Sequence, residues 1–233
     1  MSIADNIKTV MDRIASAAKR TRRDPASVKL VIVTKTVDIE RIREAVAAGA
    51  AILGENRVQE AKEKIEKLGG SASWHLIGHL QANKAKYAVK LFDLIHSVDS
   101  LELAQEIDRQ AAKIGKVQNV LVEVNIAGEV SKAGMTVRNA PALVRGAAKL
   151  SNVAIQGLMT IPPFSVSPED SRPYFCVLRE LAESIAKEHI PNAAMNELSM
   201  GMSGDFEIAV EEGATMVRVG TAIFGERVTS SEC

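Results

Sequence analysis

Short apolar runs, each followed by an amphipathic segment, recur eight times along this chain of 233 residues. The runs are rich in Val, Ile and Leu over most of their length, which is typical of strands covered on both faces in a parallel sheet. Aromatic residues make up only 3% of the chain, so the core is expected to be aliphatic. The predicted strands are residues 29–35, 51–56, 74–78, 94–98, 119–126, 153–161, 197–202 and 215–220.

The segments between these runs carry apolar residues at helical spacing. Residues 58–68, 101–114 and 177–186 place apolar side chains on one face and charges on the other, and residues 3–14 do the same ahead of the first strand. Glycines stand where such helices are expected to end. They are Gly49, Gly69, Gly115 and Gly213.

Eight alternating units with short connections predict an α/β fold, in which residues 1–233 form a single (β/α)8 TIM barrel with an extra N-terminal helix. An open, doubly wound parallel sheet shows the same alternation and remains the alternative. The pattern of strands and helices does not by itself decide whether the sheet closes.

Composition excludes several classes of function. Lys and Arg total 29, as do Asp and Glu, so no net field attracts nucleic acid or an anionic membrane surface. The N-terminus carries charges every few residues and no apolar stretch reaches ~20 residues, so neither a signal peptide nor a membrane span is expected, and we expect a cytoplasmic protein. Cys176 and Cys233 make no disulfide framework, and His75 and His79 would lie roughly 13 Å apart along a strand, so no metal site is expected.

The first predicted strand ends in Lys35, after the four apolar residues 30–33. In a parallel barrel the active site lies at the carboxyl ends of the strands. Apolar walls at that end would lower the pKa of the ammonium from its ordinary value of ~10.4 and make the neutral amine available for a Schiff base. A solvated lysine leaving a strand is the alternative.

The last two strands lead into loops suited to an anion. Residues 199–205 read SMGMSGD before a predicted helix, so amide groups and serine hydroxyls can converge there, although a plain helix cap would look similar. Arg218 lies within an apolar strand and needs a partner if buried, and Gly220 and Thr221 follow it. Phosphate sites in such barrels cluster after strands seven and eight.

Two further residues are weaker candidates. Asn56 ends the second predicted strand, where it could orient a ligand or form a turn. Lys132 follows the fifth predicted strand and either lines the mouth of the barrel or is a solvated loop lysine.

A lysine on the first strand and an anion cradle after the last two match the needs of pyridoxal 5'-phosphate (PLP), whose aldehyde needs an amine and whose phosphate needs donors. Arg218 would suit the ring nitrogen. A permanent cation there keeps that nitrogen unprotonated and weakens the cofactor as an electron sink.

Five motifs carry a resemblance to a known family: VTKT (33–36), GENRVQE (54–60), WHLIGHLQANK (74–84), LSMGMSGD (198–205) and VRVGTAIFG (217–225). From about Ile3 to Gly225 the chain resembles the pyridoxal phosphate homeostasis proteins (the YggS/PROSC family), which share the barrel of the alanine racemase N-terminal domain. The resemblance implies a Schiff base to Lys35, phosphate contacts from the two loops, and Arg218 near the ring nitrogen. The implied cofactor-binding residues are Lys35, Asn56, Met159, Ser199, Gly201, Ser203, Arg218, Gly220 and Thr221.

The resemblance also implies a role without established turnover: binding, storing or delivering PLP in the cytoplasm, with PLP-dependent apo-enzymes as possible recipients. Resembling racemases have a further β-domain and take a tyrosine acid/base from the partner subunit. This chain ends eight residues after Gly225, so we expect that domain to be missing and the protein to be a monomer. Tyr87 and Tyr174 lie in predicted helices away from the strand ends.

Two alternatives stay open. The chain could be a PLP-dependent amino-acid racemase or decarboxylase of the same fold, which would require an acid/base near the cofactor. It could also be a phosphosugar- or nucleotide-binding barrel in which Lys35 is an ordinary ion-pairing residue.

Overall fold

Eight parallel strands close into a barrel in the computed structural model, which describes residues 1–129 and 132–226. The strands are β1 (Lys29–Val33), β2 (Ile52–Glu55), β3 (Ser73–Leu76), β4 (Leu94–Val98), β5 (Gln118–Asn125), β6 (Met135–Thr136), β7 (Val153–Met159), β8 (Ala193–Ser199) and β9 (Met216–Val219). The two-residue β6 pairs with β5 outside the barrel. The other strands pair in chain order, and both β9 with β1 and β4 with β5 are hydrogen-bonded.

This closure confirms the barrel and excludes the open sheet, because an open sheet would leave two unpaired edges. The helices lie around the barrel and are α1 (Ile3–Arg20), α2 (Ile39–Ala47), α3 (Val58–Leu68), α4 (Ala85–Leu91), α5 (Leu101–Ala112), α6 (Ala140–Ala147), α7 (Arg172–Ala186), α8 (Phe206–Glu211) and α9 (Thr221–Phe224). None of the described helices is both long and apolar enough to cross a membrane.

The extra N-terminal helix is confirmed as α1. Ser2 caps it through a reciprocal pair of bonds with Asp5, and Ile7, Val10 and Ile14 bury its apolar face. The helix packs chiefly against α8 and α9, next to the last strand of the barrel. The helix therefore lies outside the strand–helix alternation but covers the barrel near the place where the last strand, β9, pairs with the first, β1.

Most predicted helix ends are confirmed. Gly69 follows α3 with φ +66° and Gly213 follows α8 with φ +103°, a backbone conformation that favours glycine. The predicted strands, in contrast, run one to three residues past several observed ends, because most of the rim residues that follow the strands are also apolar or small. Cys176 is a half-buried free thiol, and Cys233 lies outside the described residues.

The largest boundary error is at β8, which begins four residues before the predicted start. Its pairing with β7 is irregular, since Ile155 pairs with Ala193 but Gly157 already pairs with Glu197. Met195, in the extra length, has φ +47°. The bulge interrupts the alternation on which the sequence prediction depended.

Two apolar cores flank the strands. A large core lies between the strands and the helices, and a small one fills the inside of the barrel with Val31, Val33, Ile77, Leu94, Leu121, Met159 and Met216. The rest of the interior is polar: His75, His96, Ser199, Glu123 and Arg218 are all buried. A barrel packed in this way offers a rigid floor beneath its carboxyl rim.

We expect Gly157→Ala to destabilise the barrel by about 3 kcal/mol, since overpacked sites cost amounts of this order. A Cβ at this position would lie 1.8 Å from the carbonyl oxygen of Glu197 on the neighbouring strand, and a backbone atom cannot move away cheaply. Urea unfolding followed by circular dichroism measures the loss. Gly70→Ala is the matched control, because its Cβ would meet no atom within 4 Å, and its effect should stay within about 0.5 kcal/mol. Equal stabilities of the two variants would contradict the expectation.

Candidate functional site

A cavity of about 270 Å³ lies at the carboxyl ends of the barrel strands. It is lined by Val33, Lys35, Asn56, Ile77, Ile161, Met202, Ser203, Gly204, Arg218, Gly220 and Thr221. Six of the nine residues named from the sequence are among them. The structure brings these six together because the carboxyl ends of parallel strands meet on one rim.

Lys35 lies just past the end of β1, half-buried at the wall of the cavity. It is the second residue of a turn that is closed by the Val37 N–H donating to the Thr34 carbonyl over 3.0 Å. Val33 and Ile77 form apolar walls of the same cavity. The side chain therefore has the half-apolar surroundings that the sequence indicated.

Arg218 supplies a fixed cation to the cavity. Its residue surface is 4% exposed, and its guanidinium donates to Ser199 Oγ over 2.6 Å and to the Thr160 carbonyl over 2.9 Å. Burial lowers the pKa of Arg218 to about 10, with Glu123 and Asp205 opposing the shift, so the group is still charged at neutral pH. A guanidinium has five N–H donors, and these two bonds leave others for a ligand.

Met159, Ser199 and Gly201 lie beneath the cavity and do not line it. Met159 is fully buried in the inner core of the barrel. Ser199 is fully buried under Arg218. Gly201 has φ +90°, and a Cβ there would lie 2.4 Å from Cβ of Ala209, so this glycine allows α8 to approach the strand end closely.

The loop after β8 is tied to the start of α9 through Ser203. Its hydroxyl oxygen accepts the N–H groups of Gly220 and Ala222, each over 3.3 Å. Asp205 stands at the cap position of α8 but makes no side-chain cap bond. Its carboxylate accepts the Met202 N–H over 2.6 Å instead. The serines and the aspartate of this loop therefore do not form a plain cap of α8, which was the alternative interpretation of the sequence.

A buried chain of hydrogen bonds continues from Arg218 towards the other end of the barrel, and sequence reasoning missed it. His96 Nδ1 lies 2.9 Å from Ser199 Oγ, and His96 Nε2 lies 3.0 Å from His75 Nδ1. Ser199 Oγ accepts from Arg218, which leaves its own hydroxyl proton to be donated to His96 Nδ1. With that donation, neutral His96 has its proton on Nε2, from which it can donate to His75 Nδ1.

The two histidines are held in their neutral forms. Burial lowers the pKa of His75 to about 4. Burial, together with His75 and Arg218, keeps the pKa of His96 well below its ordinary range. The signal in the sequence is that His75 lies inside an apolar run. From the sequence alone it is weighed only as a metal pair with His79. The structure instead places His79 at the surface, with Nδ1 3.6 Å from Asp99.

Several other side chains lie away from the cavity. Lys132 donates to Glu129 Oε1 over 2.8 Å and is not among the lining residues. Tyr87 lies in α4 and Tyr174 in α7, as the sequence indicated. Among the described residues no cluster of three or more His, Cys, Asp or Glu side chains could hold a metal ion.

Glu123 is a buried carboxyl that the sequence did not single out. It lies near the carboxyl end of β5, where its neighbour across the ladder is Met159. Burial raises the pKa of Glu123 to about 7, with Asp99 adding to the shift and Arg218 opposing it. This carboxyl is therefore close to half-protonated at neutral pH.

The burial of His75 predicts that stability falls as the solution is acidified. The pKa of His75 is about 4 in the folded protein and has its ordinary value of 6.5 in the unfolded chain. Between these pH values the unfolded chain therefore binds one proton more than the folded protein. The contribution is fully present above about pH 6.5, and up to about 3 kcal/mol of unfolding free energy is lost by about pH 4. Urea unfolding over this range measures it.

Replacement of the titrating ring should remove part of this pH dependence. We expect His75→Asn to flatten the loss of stability between about pH 6.5 and pH 4. His189→Asn, at an exposed histidine, is the control and should keep the wild-type slope. An unchanged slope in His75→Asn would show that this ring is not the group responsible.

Comparison with known proteins places the chain in a family. The model of the alanine racemase N-terminal domain matches residues 3–228. A pyridoxal phosphate homeostasis protein of Aquifex aeolicus strain VF5 is 47% identical over 97% of this chain and 99% of its own length. An unknown protein from Bifidobacterium adolescentis matches with a TM-score of 0.90 and 40% identity, over 95% of this chain and 94% of its own. PipY of Synechococcus elongatus PCC7942, solved with PLP bound, matches with a TM-score of 0.80 and 40% identity, over 93% of this chain and 100% of its own.

These findings confirm the resemblance carried by the five motifs: the chain belongs to the pyridoxal phosphate homeostasis protein family, built on the barrel of the alanine racemase N-terminal domain.

Proposed function

We propose that this protein binds PLP at the carboxyl mouth of its barrel and holds it for intracellular storage or delivery. One observation carries the proposal: a lysine amine, a buried guanidinium and a hydroxyl- and amide-bearing loop pair line a single cavity. PipY, 40% identical to this chain, was solved with PLP bound. The curated relatives are named for PLP homeostasis.

The residues of the cavity fit the parts of the cofactor. The Lys35 amine would condense with the aldehyde, with loss of one water, to give a Schiff base. Ser203, Gly220 and Thr221 offer hydroxyl and amide donors to the phosphate, and Arg218 offers its remaining N–H groups to the ring nitrogen. Asn56 lies on the opposite wall, after β2. When bound, PLP would supply an aldehyde conjugated to an electron-accepting ring.

Met159, Ser199 and Gly201 support this arrangement from below. Ser199 accepts from Arg218 and thereby fixes the direction of the guanidinium. The Gly201 carbonyl accepts the backbone N–H of Arg218 over 3.0 Å, and this bond ties the loop after β8 to β9. Met159 fills the interior beneath the site. Their predicted part in cofactor binding stays a prediction, and in this proposal the three residues shape the binding site from below.

We infer that binding, and not turnover, is the role of the site. Apart from Lys35 and Arg218, the described lining residues carry amide, hydroxyl, thioether or hydrocarbon groups, which exchange protons poorly at neutral pH. Racemisation needs proton donors on both faces of the substrate. Arg218, charged at neutral pH, also favours an unprotonated ring nitrogen and so disfavours carbanion chemistry.

The setting of this role follows from the same reading. We propose a single-domain, monomeric protein of the cytoplasm that takes no nucleic acid or membrane partner. Its recipients would be PLP-dependent apo-enzymes. The balance of 29 basic and 29 acidic residues supports the absence of a polyanionic partner.

Lys35→Ala should abolish the visible absorbance that the wild-type protein develops with PLP, because the covalent link is lost while the exposed end of the turn keeps its shape. Borohydride reduction of the wild type, followed by peptide mass spectrometry, should find the cofactor on Lys35. Lys132→Ala is the control and should keep the band, since Lys132 pairs with Glu129 and is not among the residues that line the cavity. Trapping on another lysine refutes the assignment, and a wild-type protein that stays colourless favours the phosphosugar or nucleotide alternative.

Incubation with amino acids in heavy water tests the enzymatic alternative. We expect deuterium at the α-carbon to appear no faster with the PLP-loaded wild type than with Lys35→Ala, because no second acid/base lines the described part of the cavity. Mass spectrometry of the recovered amino acids measures the exchange. Wash-in that depends on Lys35 would support a racemase or decarboxylase instead.

A further inference from the structure

Lys64 carries a buried ammonium group outside the cavity. It lies on α3, and its side chain is 8% exposed. The ammonium donates to the Thr34 carbonyl over 2.6 Å, to Glu55 Oε1 over 2.7 Å and to Glu60 Oε1 over 2.6 Å. A lysine has three donors, so each has a partner. Buried charges are costly unless they are paired in this way. The position of the three partners shows what the arrangement holds in place.

The partners of Lys64 lie on both sides of Lys35 in the chain. Thr34, whose carbonyl accepts from Lys64, precedes Lys35. Thr36 follows it, and its N–H donates over 2.5 Å to the same Glu60 oxygen that Lys64 contacts. One ammonium–carboxylate pair therefore holds the turn at both flanks of the lysine that lines the cavity.

The turn needs such support. Thr36 has φ +59°, in the left-handed region, which is unfavourable for a β-branched residue. The Thr36 side of the turn is exposed, so packing does little to hold this conformation. Besides the bond that closes the turn, from the Val37 N–H to the Thr34 carbonyl, the bond from the Thr36 N–H to Glu60 favours this conformation.

Glu55 connects the turn to the next strand. It is fully buried at the end of β2, and its Oε1 accepts from Thr34 Oγ1 over 2.6 Å as well as from Lys64. Glu55 immediately precedes Asn56, which lines the cavity. The network thus fixes the spacing between the ends of β1 and β2, on which Lys35 and Asn56 stand.

The two carboxyl groups differ in their electrostatics. Burial raises the pKa of Glu55, and the bonds from Lys64 and Thr34 only partly offset this. For Glu60, burial also acts to raise the pKa, but the bonds from Lys64 and from the Thr36 N–H outweigh it, so the pKa is lowered. Glu60 is therefore the firmly ionised partner of the ammonium.

We propose that Lys64 is a positioning residue for Lys35, acting through Glu60 and Glu55 on the turn at residues 34–37. The inference rests on the proposed function, since it assigns Lys35 to the cofactor. It also gives a role to the GENRVQE segment, of which only Asn56 reaches the cavity. Without the ammonium, the Thr34 carbonyl loses this donor and Glu60 loses the cation that holds its carboxylate beside the Thr36 N–H, so Lys35 loses its fixed approach to the aldehyde.

The first test uses amide hydrogen exchange on the protein without PLP. Lys64→Met keeps the length of the side chain and removes the charge. We expect the Thr36 and Val37 amides to lose at least tenfold in protection, while the amides of β1 keep theirs. Lys62→Met is the matched control on the same helix, because Lys62 is exposed and its ammonium lies 3.7 Å from Glu66, outside the network of Lys64. Protection of Thr36 and Val37 that equals the wild type overturns the proposal.

The second test measures PLP itself. We expect Lys64→Met to release PLP at least tenfold faster than the wild type and Lys62→Met. The pH midpoint of the visible absorbance should also move upward, because a cation is removed and two carboxyl groups remain. A merely structural role would lower the unfolding midpoint without moving this titration.

Glu60→Ala keeps the inference falsifiable if Lys64→Met fails to fold. Glu60 is partly exposed, with 26% of its side-chain surface accessible, so its loss is tolerable, and it removes the acceptor of the Thr36 N–H. It should reproduce the loss of Thr36 protection and the faster PLP release. If the wild type shows a Lys35-dependent visible band and neither variant changes this band or the release of PLP, the positioning role alone is overturned. If the wild type shows no Lys35-dependent band, the proposed function is overturned.

Discussion

The pairing of β4 with β5 is the constraint on which the rest of the structure depends, because it turns a row of parallel strands into a closed ring. Leu94 with Asn119 and Ile95 with Val120 are its first register pairs. Once the ring is closed, every strand ends on the same rim, and no edge remains to be covered. Lys35, just past the end of β1, and Arg218, on the neighbouring strand β9, then meet at this rim although they lie near opposite ends of the chain.

The interior of the ring is divided between apolar filling and one polar chain. The guanidinium of Arg218 donates to a hydroxyl and a carbonyl, and no carboxylate is paired with it directly among the described residues. Its charge is therefore not neutralised in place and is available to the cavity above it. Ser199, His96 and His75 extend this chain downward through buried hydrogen bonds of 2.9 and 3.0 Å, which fix the side chains at the floor of the site.

Two separate networks thus prepare the site, one at the rim and one below it. At the rim, Lys64 and its carboxylates hold the turn that carries Lys35. Below, the serine and histidine chain holds Arg218. Both networks fix positions and neither brings a mobile proton donor into the cavity. A site built in this way favours retention of a ligand over chemical turnover, in agreement with the role proposed for the family member described here.

Sequence alone determined the alternation of strands and helices, most helix ends, and the residues that directly follow strands and line the cavity, such as Lys35 and Thr221. These features are local, because burial of one face imprints a period on each element separately. The tertiary structure alone decided the closure of the sheet, the place of Met159 and Gly201 beneath the cavity, and the partners of His75 and Lys64. Which buried polar groups meet depends on the register between elements distant in the chain, and hydrophobic periodicity carries no information about that register.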